Sequence, residues 1–229
     1  MDAAVEAPAT RRVRVWDGPT RLSHWAIVSL FGFCWWAAKS DHLRWHRIAG
    51  YAMLGVVWFR LAWGIWGSQT ALFSDFVRGP KATLRYLRKL LGRGGDDAPT
   101  PLGHNPLGAV SVLAMLALLV SQTTFGLFAV DVDGVASGPL ARWVSYDTGR
   151  RFAHWHATNF HLLLVLIGVH LCAVAFYGFA RRENLVPAMI HGFKAPASSA
   201  AAPYFVSRWR AVWLVAGILL AVVLLVNAR

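Results

Sequence analysis

Residues 156 to 178 run for 23 positions without one charged side chain, as HATNFHLLLVLIGVHLCAVAFYG. A bilayer core about 30 Å thick is crossed by about 20 helical residues, and lipid offers backbone N–H and C=O groups no partner. Such a run is predicted to be a membrane-spanning helix. Four further apolar segments, roughly residues 22 to 38, 48 to 66, 106 to 130 and 211 to 227, meet the same length requirement. Charged residues make up only 15% of the chain, against roughly 25% in a soluble domain. The 12 Trp and 13 Phe suit the aromatic belts of membrane interfaces. The expectation is an all-α integral membrane helix bundle with five spans.

The formal charge of +12 falls in the loops between these segments, so a membrane setting explains it and nucleic acid is not an expected partner. With the N-terminus in the cytoplasm, fifteen Lys and Arg lie on the inner side, seven on the outer side, and Arg60 lies within the second span. The positive-inside rule favours that orientation, and five spans then place the C-terminus outside. The opening MDAAVEAPATRRVRVWDGPT carries acidic residues and no apolar core, so it does not read as a cleavable signal peptide. Cys34 and Cys172 stand alone in apolar segments without a CxxC or CxxCH, which supports neither a thiolate metal site nor covalently attached haem.

Local signals mark further elements. In HNPLG, Asn105 is placed to cap a helix and Pro106 to begin it. In GPKATLRYLRKLLG, Leu84, Leu87 and Leu91 share one face while Arg85, Arg88 and Lys89 point elsewhere. This predicts a short amphipathic helix on the inner membrane surface, with docking of a cytosolic partner as the alternative. PASSAAAP, residues 196 to 203, reads as a flexible connector before the last span.

Nine histidines occur, at 24, 42, 46, 104, 154, 156, 161, 170 and 191. Ionisable side chains in a span are costly and usually mark function. His156 and His170 are fourteen residues apart, a rotation of about 1400°, so they share a face about 21 Å apart along the helix. His154 and His161 share another face, roughly opposite to His170. Consecutive spans run in opposite directions, so His24 matches His170 in depth and His46 matches His156. Two facing imidazoles per level suit bis-histidine haem iron in a helix bundle. Zinc wants a third or fourth ligand, and the spans hold almost no Asp or Glu.

Gly50 and Gly168 lie close in sequence to these histidines; they leave room for a porphyrin plate or serve ordinary helix packing. Arg60 lies fourteen residues after His46, on the same side and about 21 Å deeper. At that depth it either meets an anion such as a haem propionate or snorkels to the headgroups.

WDGPTRLSHW, RWHRIAGY, GHNPLG and WHATNFHLLLVLIGVH together resemble the bacterial cytochrome b561 family, which includes the b-type cytochrome subunit of nickel–iron hydrogenases. The resemblance covers about residues 12 to 195. It implies a four-helix di-haem core that passes electrons across the bacterial inner membrane. The ligands it implies are His24 and His170 for one haem b and His46 and His156 for the other. A fifth C-terminal transmembrane helix lies outside that core, as an anchor or a homo-oligomer contact. The organisation expected is a cytoplasmic tail over 1–20, the cytochrome domain over 21–195, and a linker with the fifth span over 196–229.

In this scheme His104 of GHNPLG approaches an inner propionate or a quinone, or serves the start of its helix. His161 makes a hydrogen bond within the bundle, His154 and His42 lie near the outer surface, and His191 lies in a loop. The expected partners are membrane lipid, quinone and a redox protein: a hydrogenase, a cytochrome c or a dehydrogenase. One alternative is a stand-alone oxidoreductase of superoxide-oxidase type, steered by Lys39, Arg44, Arg47, Arg150 and Arg151. A second is a non-redox metal-binding or transport protein. No carboxylate pair or nucleophile triad occurs in the spans, so side-chain bond-breaking catalysis is not expected.

Overall fold

The computed structural model describes residues 12–90, 103–133, 136–194 and 202–227. The described chain forms the helices α1 (Gly18–Lys39), α2 (Leu43–Trp66), α3 (Phe73–Phe76), α4 (Pro80–Leu90), α5 (Pro106–Phe128), α6 (Tyr146–Phe179), α7 (Val186–His191) and α8 (Arg208–Asn227). An antiparallel ribbon pairs β1 (Val13–Arg14) with β2 (Phe193–Lys194). Leu91 and residues 196–201 of the expected connector lie outside the described residues.

Among the described residues four helices are long and apolar enough to cross a membrane: α2, α5, α6 and α8. α1 is less apolar than these four. α1 has the length, at 22 residues, but Trp25, Trp35, Trp36, His24 and two serines dilute its hydropathy. It nonetheless packs along α2. α6 starts ten residues earlier than the apolar run alone predicts. Ser145 accepts a hydrogen bond from Thr148 N and Asp147 sits in the first turn, both favourable at a helix N-terminus.

Polar caps fix the other starts. Asp17 Oδ1 accepts from Thr20 N at 2.8 Å to open α1, and its Oδ2 accepts from the Trp63 indole at 2.9 Å, which ties the cap to the far end of α2. Asn105 Oδ1 accepts from Gly108 N at 2.7 Å to open α5, as its motif predicts.

α1 lies on α2, α5 lies on α6, and α2 joins the two pairs through α5. Met53, Val57, Leu119 and Leu163 form a buried apolar layer between them, with Ile27, Leu30 and Phe31 of α1 packed against it. Phe31 stacks on Phe160 of α6 with ring centres 5.5 Å apart. α8 packs on the outside of α2. Gly55 presents bare backbone there, and a side chain at that position would meet Ile218 and Val222.

One end of the bundle is tied by the ribbon. Val15 N and Trp16 N both donate to Gly192 O, at 2.7 and 3.1 Å. Trp25 Nε1 donates to Met189 O at 3.1 Å, and Arg21 Nη1 donates to Ile190 O. Gly192 has φ of +90°, and a Cβ there would stand 2.6 Å from Trp16 O, so glycine is required twice over. His191 ends α7 rather than lying in a loop, and its ring nitrogen accepts from Phe193 N at 3.2 Å.

Candidate functional site

The bundle brings histidines together at two levels. At one level, His46 of α2 and His156 of α6 face each other with ring centres 6.0 Å apart and planes at 81°. Two imidazole nitrogens bound to one metal at about 2 Å put the ring centres about 6 Å apart. Both rings are oriented from behind. His46 Nδ1–H donates to Cys34 O of α1 at 2.9 Å, and His156 Nδ1–H donates to Gln122 O of α5 at 2.9 Å. Those bonds fix the tautomer and leave each Nε2 with its lone pair, the arrangement a metal-ligating histidine needs.

A polar chain that the histidine pattern did not reveal supports this level. Asn159 of α6 is buried and its Nδ2 donates to Leu118 O at 2.9 Å and to Gln122 Oε1 at 2.6 Å. Gln122 Nε2 in turn donates to His156 Nε2 at 3.1 Å, so this amide has to turn aside before a metal takes that nitrogen. Polar side chains in two apolar runs were the available signal. Gly126 lets the His156 ring lie close to α5, since a Cβ there would stand 3.2 Å from His156 Cε1.

At the other level stand His24 of α1, His170 of α6, His104 and Arg60 of α2. His24 and His170 are close enough to act on each other electrostatically, and Arg60, His170 and His24 all act on His104. His104 is wedged between Trp16 and Phe76, with ring centres 4.6 and 4.7 Å away. Burial first, and then the neighbouring Arg60 guanidinium, push it down to about 3. The Nδ1 atoms of His24 and His104 are buried with no hydrogen-bond partner among the described residues.

Arg60 is 6% exposed, so it does not snorkel to a surface. Its Nη1 donates to Ala71 O at 3.3 Å and its guanidinium lies 5.6 Å over the Phe73 ring. A buried cation held by a carbonyl and an aromatic face, with the buried Asp17 carboxylate near enough to act on it, keeps further N–H groups for a second anion.

Two imidazoles per level, open space beside the Gly50 backbone and a buried guanidinium fit a bis-histidine porphyrin with anionic propionates. Among the described residues no three His, Cys, Asp or Glu side chains converge on one point. Gly168 does not line either level, because two residues place it about 160° around α6 from His170. His154 and His161 are exposed on the other face of α6. His161 Nδ1–H donates to Ala157 O of its own helix at 2.8 Å.

His42 is exposed at the start of α2, against Trp36. Three of the five cations considered for anion steering are engaged locally: Arg47 donates to Ser137 O, Arg150 to Val130 O and Arg151 to Thr148 Oγ1. Cys34 and Cys172 are both free thiols.

The family model described as prokaryotic cytochrome b561 matches residues 15–192. No curated protein matches the chain significantly. The matched span takes in both histidine levels, and it stops before β2 and α8. The chain belongs to the prokaryotic cytochrome b561 family, and is a bacterial multi-pass membrane protein of the haem-binding, electron-transferring b-type cytochromes.

Proposed function

We propose that this chain is a di-haem cytochrome b that carries electrons across the bacterial inner membrane between the quinone pool and a redox partner protein. His46 and His156 would hold one haem b, and His24 and His170 the other. The observation that carries this reading is the His46–His156 pair, with facing rings at 6.0 Å and each Nδ1–H committed to a carbonyl.

Haem iron, when bound, supplies a one-electron couple. The residues of this chain do the rest. The backbone carbonyls of Cys34 and Gln122 hold the two imidazoles in the ligating tautomer and raise their basicity. The layer of Met53, Val57, Leu119 and Leu163 keeps water out between the levels. It sets a spacing of about 21 Å along α6 between His156 and His170. Arg60 and His104 stand at the His24–His170 level, where Arg60 would take a propionate and His104 would face a propionate or a quinone.

The charge bias of the loops supports a cytoplasmic N-terminus, which puts the His24–His170 level near the inner face. The cytochrome domain then spans 21–195, after a tail over 1–20 and before a linker and fifth helix over 196–229. α8 braces α2 from outside that domain. The redox partner would be a hydrogenase, a cytochrome c or a dehydrogenase. The test is anaerobic addition of a quinol to the purified protein. Growth of the reduced haem absorption bands is expected; bands that appear with dithionite but never with quinol would remove the quinone link.

A further inference from the structure

We propose that the cleft between α4 and the start of α5 is a binding site for an anionic diacyl phospholipid. The cleft is an open groove of about 410 Å³ lined by Arg78, Pro80, Thr83, Leu84, Leu87 and Val110. Its apolar lining is bare: Leu84 is 49% exposed, Leu87 37% and Val110 50%. Arg78 stands beside this lining.

The charge around the cleft is one-sided. Arg78, Lys81, Arg85 and Arg88 are exposed, and none forms an ion pair among the described residues. A basic helix with an apolar face is built to lie on an anionic lipid surface. Here the two features meet at one cleft, with the apolar lining beside a guanidinium able to form charge-assisted bonds with a phosphate.

The cleft is preformed. Tyr86 of α4 and Tyr177 of α6 share a hydrogen bond of 2.7 Å, and Asn105 Nδ2 donates to the Tyr177 hydroxyl at 2.8 Å. Asn105 is also the cap of α5. One hydrogen-bonded chain therefore holds α4 in a set rotation against the first turn of α5.

The apolar surface also decides what occupies the cleft. It continues from Val110 to Leu113 along the exposed side of α5, a membrane-spanning helix. An acyl chain can follow that path into the bilayer, whereas an acidic peptide on the surface could reach only the cations. The head group is specified as anionic by Arg78 and its neighbours, and the tail by Leu84, Leu87 and Val110.

The test is native mass spectrometry of the purified full-length protein in detergent, with phosphatidylglycerol or phosphatidylcholine of identical acyl chains. Retention of phosphatidylglycerol well above phosphatidylcholine is expected. Arg78→Gln should lower phosphatidylglycerol retention about fivefold, the contribution of one basic residue near an anionic surface, and leave phosphatidylcholine unchanged. Leu84→Gln should lower retention of both. Arg78 is exposed and makes no contact that the fold needs, so helix content by circular dichroism should match wild type. Equal retention of the two lipids by wild type, or wild-type retention of phosphatidylglycerol by Arg78→Gln, would overturn the site. So would displacement of the bound lipid by a soluble acidic peptide.

Discussion

His46 and His156 face each other across the bundle with ring centres 6.0 Å apart, and each is held by a carbonyl from a helix other than its own. Four helices thus converge on one pair of imidazoles: α2 and α6 supply the rings, α1 and α5 the carbonyls. A pair placed only by chance packing would not need its tautomers fixed from two further directions.

The closeness of α5 to this pair gives the first prediction. Any side chain at position 126 presses on the His156 ring, which sits 3.2 Å from a Cβ built there. Gly126→Ala should reduce haem binding slightly, and Gly126→Val should lower haem per protein from two toward one. The pyridine haemochrome assay measures this. A full complement in Gly126→Val would mean that His156 does not have to keep its place.

Asp17 gives the second. Its two oxygens cap α1 and hold the Trp63 indole. Asp17→Ala removes a helix cap worth about 1 kcal/mol and leaves a buried indole N–H unpaired at about 1–3 kcal/mol. Asp17→Asn keeps one oxygen for the cap but turns an amide NH2 toward the indole N–H, so it should recover only the cap's share, about 1 kcal/mol. Thermal unfolding in detergent, followed by circular dichroism, separates the two variants. Equal midpoints for Asp17→Ala and wild type would count against the double role.

The third concerns acid. His104 is pushed down to about 3 in the folded chain, below an unfolded value of about 6.5. A folded pKa below the unfolded one gives stability that is full above pH 6.5 and is lost as pH falls from there toward 3. Between pH 8 and pH 5, wild type should lose about 1–2 kcal/mol that His104→Gln does not lose. Unfolding midpoints of the two proteins at both pH values provide the measurement. Parallel losses would show that His104 is not held neutral.

Much of this arrangement is legible in the sequence because α-helical rotation is regular. The fourteen-residue interval puts His156 and His170 on one face, and the opposite running of neighbouring spans matches His46 to His156 in depth. Asn105 and α4 are equally readable from a cap motif and a leucine face. The carbonyl of Cys34 was not, since a backbone acceptor leaves no trace in residue type. Gln122 and Asn159 did leave one, as amides inside apolar runs, but helical phase alone does not say which neighbour they meet. The Val15–Gly192 clamp joins residues 177 positions apart, and no local pattern encodes such a pairing. α1 is the least apolar of the long helices, because its tryptophans suit an interface and lower its hydropathy.

The two-haem reading stands or falls on the haem stoichiometry of the purified protein, read from reduced-minus-oxidised spectra alongside the pyridine haemochrome. Two haems per chain are predicted for wild type, and one each for His156→Ala and His170→Ala. Exposed His161 serves as the control, and His161→Ala should keep both. Two haems retained in His156→Ala or His170→Ala, or a wild-type chain with no haem bands, would contradict the account.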